Sequence, residues 1–191
     1  MDGSPLPRLV LASASPRRRD LLDQHGIAHL VHPSRVPEDD VPGLDPGRLA
    51  ARHARDKACA VAPLFPATPT LGADTVVVVG QRALGKPRDM AEARRMLRLL
   101  AGRAHQVVTA VCIVRQRDRR MVEFAESTTV VFHPLDERAI GRYLERIDPL
   151  DKAGGYAAQQ HREMIIARID GLLSNVIGLP VERVAGRLGE F

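Results

Sequence analysis

The sequence predicts a mixed α/β fold, and two observations carry that prediction. Short apolar runs typical of buried strands are interspersed with segments that have the caps and the periodicity of helices. In addition, the runs at 106–114 and 121–133 flank a polar RDRR turn, which predicts a hairpin in the same sheet. The sheet should therefore be mixed. The 191 residues, 45% of them hydrophobic, suffice for a single domain over residues 1–191 with room for two lobes.

The first strand is predicted at residues 8–12, and a helix follows it at 17–26. Ser15 is a favoured N-cap residue, Pro16 suits the first helical position, and a glycine closes the helix. A central, fully buried strand is predicted at 70–79. The other expected elements, in chain order, are a strand at 27–32, a loop at 33–46, a helix from 45 to about 62, a turn and loop at 80–89, a helix capped by Asp89 that ends at 100, a helix at 136–146, an irregular loop at 148–160, a strand at 163–169 and a last helix from 180.

Composition favours a small anionic ligand over a nucleic acid. The net charge of +5 suits an anionic partner, but aromatic residues make up only 3% of the chain and tryptophan is absent, so stacking platforms for bases are scarce. The N-terminus has no signal-peptide pattern, and the longest aliphatic run, 76–79, is far too short to span a bilayer. The two cysteines have no metal-ligand or redox spacing, which is typical of a reduced, cytoplasmic protein.

The segment SASPRRR, residues 13–19, places hydroxyls and three consecutive arginines at a strand-to-helix turn. Backbone N–H groups at a helix N-terminus, together with hydroxyls and guanidinium groups, form a ready anion site. The alternative is that Ser15 only caps the helix and the arginines are solvated. The spacing of a P-loop is absent, and so is the glycine pattern of a dinucleotide-binding turn.

A single carboxylate, Asp74, lies within the apolar strand GADTVVVV. An unpaired buried carboxylate is costly, so Asp74 should meet a cation or lie at a functional cleft; the alternative is a strand-end aspartate bonded to backbone.

Of 28 basic residues, 25 are arginine, and the three lysines are Lys57, Lys86 and Lys152. The chain uses arginine at nearly every other basic position. Lysine at these three positions is therefore either a matter of chance or a sign that a guanidinium group cannot replace the compact ammonium there. Several cations and one carboxylate suit a triphosphate with a divalent ion.

Five colinear segments carry a resemblance to a known family. They are LASASPRRRDLL, GADTVVVV, LGKPRDMAEARRMLRLLAGRAHQVVTAV, PLDKAGGYAAQ and IDGLLSNVIGLPV, and together they run from about residue 8 to 182. In this order they resemble the motifs of the Maf family of nucleoside triphosphate pyrophosphatases, which are cytosolic and historically linked to septum formation. The resemblance implies an α/β fold similar to that of inosine triphosphate pyrophosphatases, with a mixed sheet and two lobes around a deep cleft. It implies hydrolysis between the α- and β-phosphates.

The resemblance also implies roles for individual residues. Asp74 matches the catalytic acidic residue, assigned as the proton acceptor. In a metal-assisted mechanism, Asp74 would take the proton of the attacking water or hold a divalent ion, Mg²⁺ or Mn²⁺. The positions expected to bind substrate are Ser13, Arg18, Glu38, Lys57, Lys86 and Lys152, with Asp39 as an alternative to Glu38. Arg17, Thr75 and Gln159 match positions associated with substrate choice. The form PLDKAGGYAAQ resembles the branch that acts on dTTP and UTP, and the amide of Gln159 can pair with O4 and N3–H of a pyrimidine.

The sequence leaves other functions open. A non-catalytic nucleotide sensor that regulates cell division and septum formation would retain the same pocket. The presence of Asp74 and all three lysines argues against a loss of catalysis. A general activity on modified pyrimidine triphosphates competes with dTTP and UTP as substrates. A nucleic-acid-binding protein is suggested by the isoelectric point of about 9.9 and opposed by the dispersed charge. By resemblance, the chain is expected to form a homodimer.

Overall fold

The computed structural model describes residues 9–39 and 43–191, and these form two compact units. The first unit contains the described residues up to Asp74 together with Thr109–Glu126 and Gly178–Phe191. The second unit contains Thr75–Val108 and Ser127–Ile177. A division into two units agrees with the two lobes expected of the chain.

Within the described residues, seven strands form a single sheet. The strands are β1 (Leu9–Leu11), β2 (His29–Val31), β3 (Thr70–Val79), β4 (Arg82–Leu84), β5 (Ala104–Arg115), β6 (Arg120–Phe132) and β7 (Ile166–Asp170). Their order is β2-β1-β3-β5-β6-β7, and β4 pairs with β3. Strand β1 is parallel to β2 and β3, whereas β4 is antiparallel to β3 and β7 is antiparallel to β6. The mixed sheet confirms the predicted fold class.

The helices lie between these strands along the chain and after the last of them. They are α1 (Pro16–Gln24), α2 (Pro46–Val61), α3 (Met90–Leu100), α4 (Glu137–Leu144), α5 (Leu173–Ile177) and α6 (Val181–Leu188). The carboxylates of Asp45, Asp89 and Asp136 each accept a hydrogen bond from the backbone N–H three residues later, at 3.0, 2.6 and 2.7 Å. These three N-caps fix the starts of α2, α3 and α4.

Each unit has its own hydrophobic core. In the first unit, Val10 and Ala12 of the β1 segment pack with Val61 at the end of α2, and Phe65 covers them. In the second unit, a larger cluster joins α3 and α4 to β4, to β7 and to the parts of β3, β5 and β6 that belong to this unit. Its fully buried side chains include Leu97, Leu100, Phe132, Ile140, Tyr143 and Ile165.

Several sequence predictions of local structure were wrong. Ser15 stands at the N-cap position of α1, but its side chain makes no capping hydrogen bond. The predicted strand at 163–169 begins only at Ile166, because His161 adopts a left-handed φ of 51° and a 3-10 turn over Arg162–Met164 follows it. Strand β3 is half-buried rather than fully buried at residues 74–76 and 78. Strand β4 and helix α5 were not predicted, since three and five residues are too short to show a periodicity. The predicted strand residue Arg8 lies outside the described residues.

Candidate active site

Asp74 lies on β3 and is the last residue of the first of the three chain segments that form the first unit. Its side chain is 17% exposed. Its Oδ1 is 2.9 Å from the Nζ atom of Lys57, which also donates to the carbonyl oxygen of Ala73 at 3.3 Å. The carboxylate is therefore paired with a cation that is itself only 7% exposed. The ammonium of Lys57 thus points into the protein rather than into water.

Glu38 brings a second carboxylate to the same ammonium. Its Oε1 lies 2.9 Å from Nζ of Lys57, so the lysine bridges Glu38 and Asp74. Asp39 contributes its backbone instead, since its carbonyl oxygen lies 3.2 Å from a ring nitrogen of His53. Of the two acidic residues that the sequence left open, Glu38 is the one whose carboxylate contacts Lys57. Asp40, the third acid of that triplet, lies outside the described residues.

Helix α2 presents His53 and Lys57 to Asp74 together. The two residues are four positions apart, so their side chains lie on the same face of the helix. His53 is 8% exposed, and its Nδ1 lies 3.3 Å from Oδ2 of Asp74. Each oxygen of the Asp74 carboxylate thus has its own partner on α2.

The close approach of α2 to β3 depends on Gly72. A Cβ atom at this position would lie 2.1 Å from the carbonyl oxygen of Ala54, 2.7 Å from the backbone nitrogen of Ala58 and 3.1 Å from the Cβ of Lys57. Those atoms belong mainly to the backbone of α2 and cannot rotate away. Only glycine allows the helix to lie this close to the strand, and the approach brings Lys57 within reach of Asp74 two residues along.

The three arginines at residues 17–19 differ in burial and in the contacts they make. Arg18 donates from Nε to the carbonyl oxygen of Gly178 at 2.9 Å and from Nη1 to the hydroxyl of Ser13 at 3.0 Å. Ser13 is 8% exposed and also accepts a hydrogen bond from the backbone of Ser15 at 3.2 Å. Arg17 is half-buried, whereas Arg19 is exposed and pairs with the neighbouring aspartate. Arg19 therefore does not join Arg18 at Ser13.

Electrostatics tie Arg18 to the carboxylates. Burial lowers the pKa of the Arg18 guanidinium, the positive charge of Arg17 adds to this shift, and the negative charges of Asp74 and Glu38 oppose it. A desolvated guanidinium beside carboxylates remains charged and is well suited to bind a further anion. The predicted residues Ser13, Arg18, Glu38, Lys57 and Asp74 thus occupy one region of the first unit.

Within the described residues, Glu38, His53 and Asp74 form a group that could hold a metal ion. One donor atom from each lies within 4.8 Å of the others. Two carboxylates and an imidazole suit a divalent cation that accepts both oxygen and nitrogen. The donor chemistry therefore fits the expected divalent metal.

Four further predicted residues belong to the second unit: Thr75, Lys86, Lys152 and Gln159. Lys86 is exposed on the loop after β4, and Gln159 is exposed in the bend after Tyr156. Thr75 is half-buried on β3. Lys152 is 9% exposed and donates within its own loop, to the carboxylate of Asp151 at 2.5 Å and to a backbone carbonyl at 2.6 Å.

The loops of Lys86 and Lys152 are joined by their glycines. The backbone N–H of Gly154 donates to the carbonyl oxygen of Gly85 at 3.0 Å. Gly154 has a φ of +71°, and a Cβ atom there would lie 3.1 Å from the side chain of Val77. Gly154 therefore allows this loop to pack tightly against β3 within the second unit.

His53 is the site residue that sequence reasoning missed. The seven histidines show no zinc-like spacing, and His53 lies in a helix of alanines and arginines. The available signal was its i, i+4 relation to Lys57, one of three lysines in an arginine-rich chain. Its partner Asp74 is 21 residues away, and no local pattern reveals that contact.

Comparison with known proteins gives the family. A family model described as Maf-like protein matches residues 8–191. A dTTP/UTP pyrophosphatase from Anaeromyxobacter dehalogenans is 46% identical over 184 residues, covering 95% of this chain and 93% of that protein. Proteins of the same name from Symbiobacterium thermophilum and Pelotomaculum thermopropionicum are 45% and 42% identical over 186 residues, covering 97% of this chain and 95% and 97% of theirs.

The structural comparison is weaker. A HAM1 protein from Coxiella burnetii has 14% sequence identity and a TM-score of 0.42 over 65% of this chain and 72% of that chain, which is too low to support an argument. None of the described helices is long and apolar enough to cross a membrane. The family model over residues 8–191 and the relatives at 42–46% identity show that the chain belongs to the Maf family.

Proposed function

We propose that the protein is a nucleoside triphosphate pyrophosphatase that hydrolyses the α–β phosphoanhydride of dTTP and UTP, giving the monophosphate and pyrophosphate. Family membership and the shared name of the relatives support this activity. The observation that carries it in this chain is the Asp74–Lys57–Glu38 group, in which a largely buried ammonium bridges two carboxylates. We also propose that residues 1–191 form one catalytic domain, since a single family model spans residues 8–191 of the chain.

Asp74 has the position of a general base. Its Oδ1 is fixed by Lys57 at 2.9 Å, so the carboxylate plane is held in place. The carboxylate can then accept the proton of the water that attacks the α-phosphorus. A carboxylate held by a buried cation keeps its orientation between turnovers, which favours repeated proton transfer in the same geometry.

Arg18 suits binding of the phosphates. Its guanidinium is oriented by two hydrogen bonds, to Ser13 and to the carbonyl of Gly178, and it is partly desolvated. A preoriented cation stabilises negative charge that develops on phosphate oxygens at little reorganisation cost. Lys86 and Lys152 are further proposed phosphate ligands on the strength of the family motifs, and the exposed ammonium of Lys86 is the more available of the two.

A divalent cation, Mg²⁺ or Mn²⁺, completes the proposed chemistry. The carboxylates of Asp74 and Glu38 would hold it. When bound, such an ion polarises phosphate oxygens and lowers the pKa of coordinated water.

Substrate choice is assigned to Arg17, Thr75 and Gln159. Thymine and uracil share the O4 acceptor and the N3–H donor, and differ at C5. The amide of Gln159 can donate to O4 and accept from N3–H, which would suit both bases. This pairing supports dTTP and UTP as a matched pair of substrates.

The decisive experiment measures pyrophosphate release from a panel of nucleoside triphosphates with Mg²⁺ or Mn²⁺. Wild-type protein should turn over dTTP and UTP, and Asp74→Asn should reduce kcat about 10²–10⁴-fold, the usual contribution of a general base. The control is Asp170→Asn, an exposed carboxylate on β7, which should retain wild-type rates. Nucleotide binding without turnover by the wild type would contradict the enzyme and favour the nucleotide-sensing regulator.

A further inference from the structure

We propose that His53 is a third ligand of the divalent cation, through Nδ1, and that this nitrogen gives the site a preference for Mn²⁺ over Mg²⁺. The inference concerns the metal of the proposed pyrophosphatase and so rests on that function. It is argued from the surroundings of the two ring nitrogens of His53, from its separation from the two carboxylates and from its burial.

The surroundings of the ring fix which nitrogen carries a hydrogen. Nε2 of His53 lies 3.2 Å from the carbonyl oxygen of Asp39, and a carbonyl oxygen only accepts. Nε2 must therefore donate. In the neutral imidazole, Nδ1 then presents a lone pair, and it does so towards Oδ2 of Asp74 at 3.3 Å.

Two lone pairs that face each other at this distance repel, so the contact requires a positive charge between or on the two groups. A divalent cation bound by both atoms satisfies that requirement. Metal-binding histidines commonly donate their other ring N–H to a backbone carbonyl, which orients the ring and fixes the tautomer. The hydrogen bond from Nε2 to Asp39 is of this kind.

The separations fit a shared cation. Two neighbouring ligands, each about 2.1 Å from one ion and at right angles, lie about 3 Å apart. The observed separation of Nδ1 and Oδ2 is 3.3 Å, and a donor atom of Glu38 lies within 4.8 Å of both. Lys57 contacts Oδ1 of Asp74, so it does not occupy the oxygen that faces His53.

The choice of metal follows from the ligand types. Mg²⁺ strongly prefers oxygen ligands and keeps much of its water, so an imidazole adds little to its binding. A first-row transition ion such as Mn²⁺ accepts a mixed set of carboxylate and imidazole ligands. Because His53 is only 8% exposed, its nitrogen is also shielded from bulk water.

The test uses the full-length protein and the metal alone, without nucleotide. Binding of Mn²⁺ is followed by loss of the electron paramagnetic resonance signal of free Mn²⁺, and Mg²⁺ is measured by competition. Wild type should bind Mn²⁺ at least about 10-fold more tightly than Mg²⁺. His53→Gln should weaken Mn²⁺ binding about 10–100-fold and change Mg²⁺ binding less than about threefold. Glutamine retains an N–H donor for the carbonyl of Asp39.

The matched control is His133→Gln, which removes an exposed histidine of the second unit and should bind both ions as wild type does. A second measurement does not depend on the folding of any variant. Electron spin echo modulation of the wild-type Mn²⁺ complex should show a directly coordinated ¹⁴N, which disappears on uniform ¹⁵N-histidine labelling.

Three outcomes would overturn the inference: no nitrogen modulation in the wild-type complex, equal Mn²⁺ affinity of His53→Gln and wild type, or tighter binding of Mg²⁺ than of Mn²⁺ by the wild type. None of them bears on pyrophosphate release, which can proceed with Glu38 and Asp74 as the only protein ligands. Conversely, Mn²⁺ bound through nitrogen by a protein that lacks turnover would leave the ligand assignment intact and remove the proposed activity.

Discussion

Lys57 is the residue on which the charge balance of the site depends. Its ammonium lies 2.9 Å from one oxygen of Glu38 and 2.9 Å from one oxygen of Asp74. Without it, two carboxylates would share a partly buried region with too little compensating charge. Breaking a buried pair by removing one partner is costly, because the remaining charge is left desolvated.

We expect Lys57→Gln to lower kcat/KM for UTP by about 10²-fold or more, because Asp74 loses the contact that orients it. Steady-state pyrophosphate release measures this effect. Arg52→Gln, an exposed position on the same helix, is the control and should change kcat/KM less than about twofold. Wild-type kinetics of Lys57→Gln would exclude the ammonium from the mechanism.

His105 supplies a separate prediction at the scale of a single residue. It is 2% exposed, its Nε2 lies 2.9 Å from the hydroxyl of Tyr156, and its ring packs edge-on against Phe132. Burial lowers the pKa of His105 from 6.5 to about 4. The ring is therefore neutral in the folded protein at physiological pH, and it supports Tyr156 directly after the glycine loop.

This shift makes stability depend on pH in a defined window. Above pH 6.5 both folded and unfolded chains hold His105 neutral. As the pH falls from about 6.5 to 4, the unfolded chain takes up a proton that the folded chain does not, so the free energy of unfolding decreases, by about 3 kcal/mol in total. Acidification therefore destabilises the protein through this residue.

The measurement compares wild type with His105→Phe, which keeps a ring between Phe132 and Tyr156 but cannot titrate. From pH 7.5 to 4.5, urea unfolding should show that the wild type loses about 2–3 kcal/mol more stability than the variant. An equal loss in both proteins would mean that His105 already takes up its proton in the folded state.

At the scale of elements, the packing of β3 against α2 in the first unit creates the site. Gly72 permits the approach, and the N-cap of Asp45 sets the start of the helix. Lys57 and His53 then reach Asp74 through the i, i+4 geometry of α2. The site is thus a product of one strand and one helix, with Glu38 and Arg18 added from the preceding segments.

We expect Gly72→Ala to destabilise the protein by about 1–3 kcal/mol or more, because its Cβ would overlap the backbone of α2. The same displacement should separate Lys57 from Asp74 and lower kcat. Thermal or urea unfolding and pyrophosphate release measure the two effects together.

Gly186→Ala is the matched control, since a Cβ atom at this position of α6 would have no atom within 4 Å apart from its chain neighbours and the backbone of its own helix. This change should be neutral or stabilise the protein by up to about 1 kcal/mol. Equal stabilities of Gly72→Ala and wild type would show that β3 and α2 can separate without cost.

The sequence predicted these elements well where a local signal exists. Strand β3 has the predicted bounds, and Asp45, Asp89 and Asp136 start their helices because a cap acts over three residues. Ser15 stands at the N-cap position of its helix, but its side chain accepts no capping hydrogen bond, and its own backbone N–H donates to the hydroxyl of Ser13.

The composition of the site was less accessible to sequence reasoning. The acidic residue and the cations could be named from motifs, but their pairing depends on contacts between residues 14 to 160 positions apart. His53 has no motif of its own. Its role emerges only when α2 and β3 are packed, because a periodic helix pattern does not say which polar side chain faces a carboxylate.

At the scale of the whole molecule, the chain carries a net charge of +5 and its proposed substrate is a polyanion. Long-range attraction should therefore speed association, and dissolved salt should screen it. Twenty-five arginines, several of them in exposed ion pairs, add little to stability, because exposed pairs contribute about 0–1 kcal/mol each.

We expect kcat/KM for UTP to fall several-fold between 50 and about 300 mM KCl, while kcat changes less than about twofold. The reason is that screening weakens encounter and ground-state binding but not the chemistry of a bound substrate. Initial rates at constant free Mg²⁺ measure both quantities. A kcat/KM that does not vary with salt would show that the net charge plays no part in substrate capture.

The hydrogen bond between Arg18 and Gly178 has a consequence for biosynthesis. It joins residues 160 positions apart, and both belong to the first unit, whose final segment starts at Gly178. A ribosome that has made the first strand, α2 and Asp74 has not yet made the carbonyl that holds this guanidinium. A nascent chain, or one that ends before Gly178, therefore contains every catalytic side chain of the first unit but lacks this contact to Arg18, and the anion site is completed only near the end of translation.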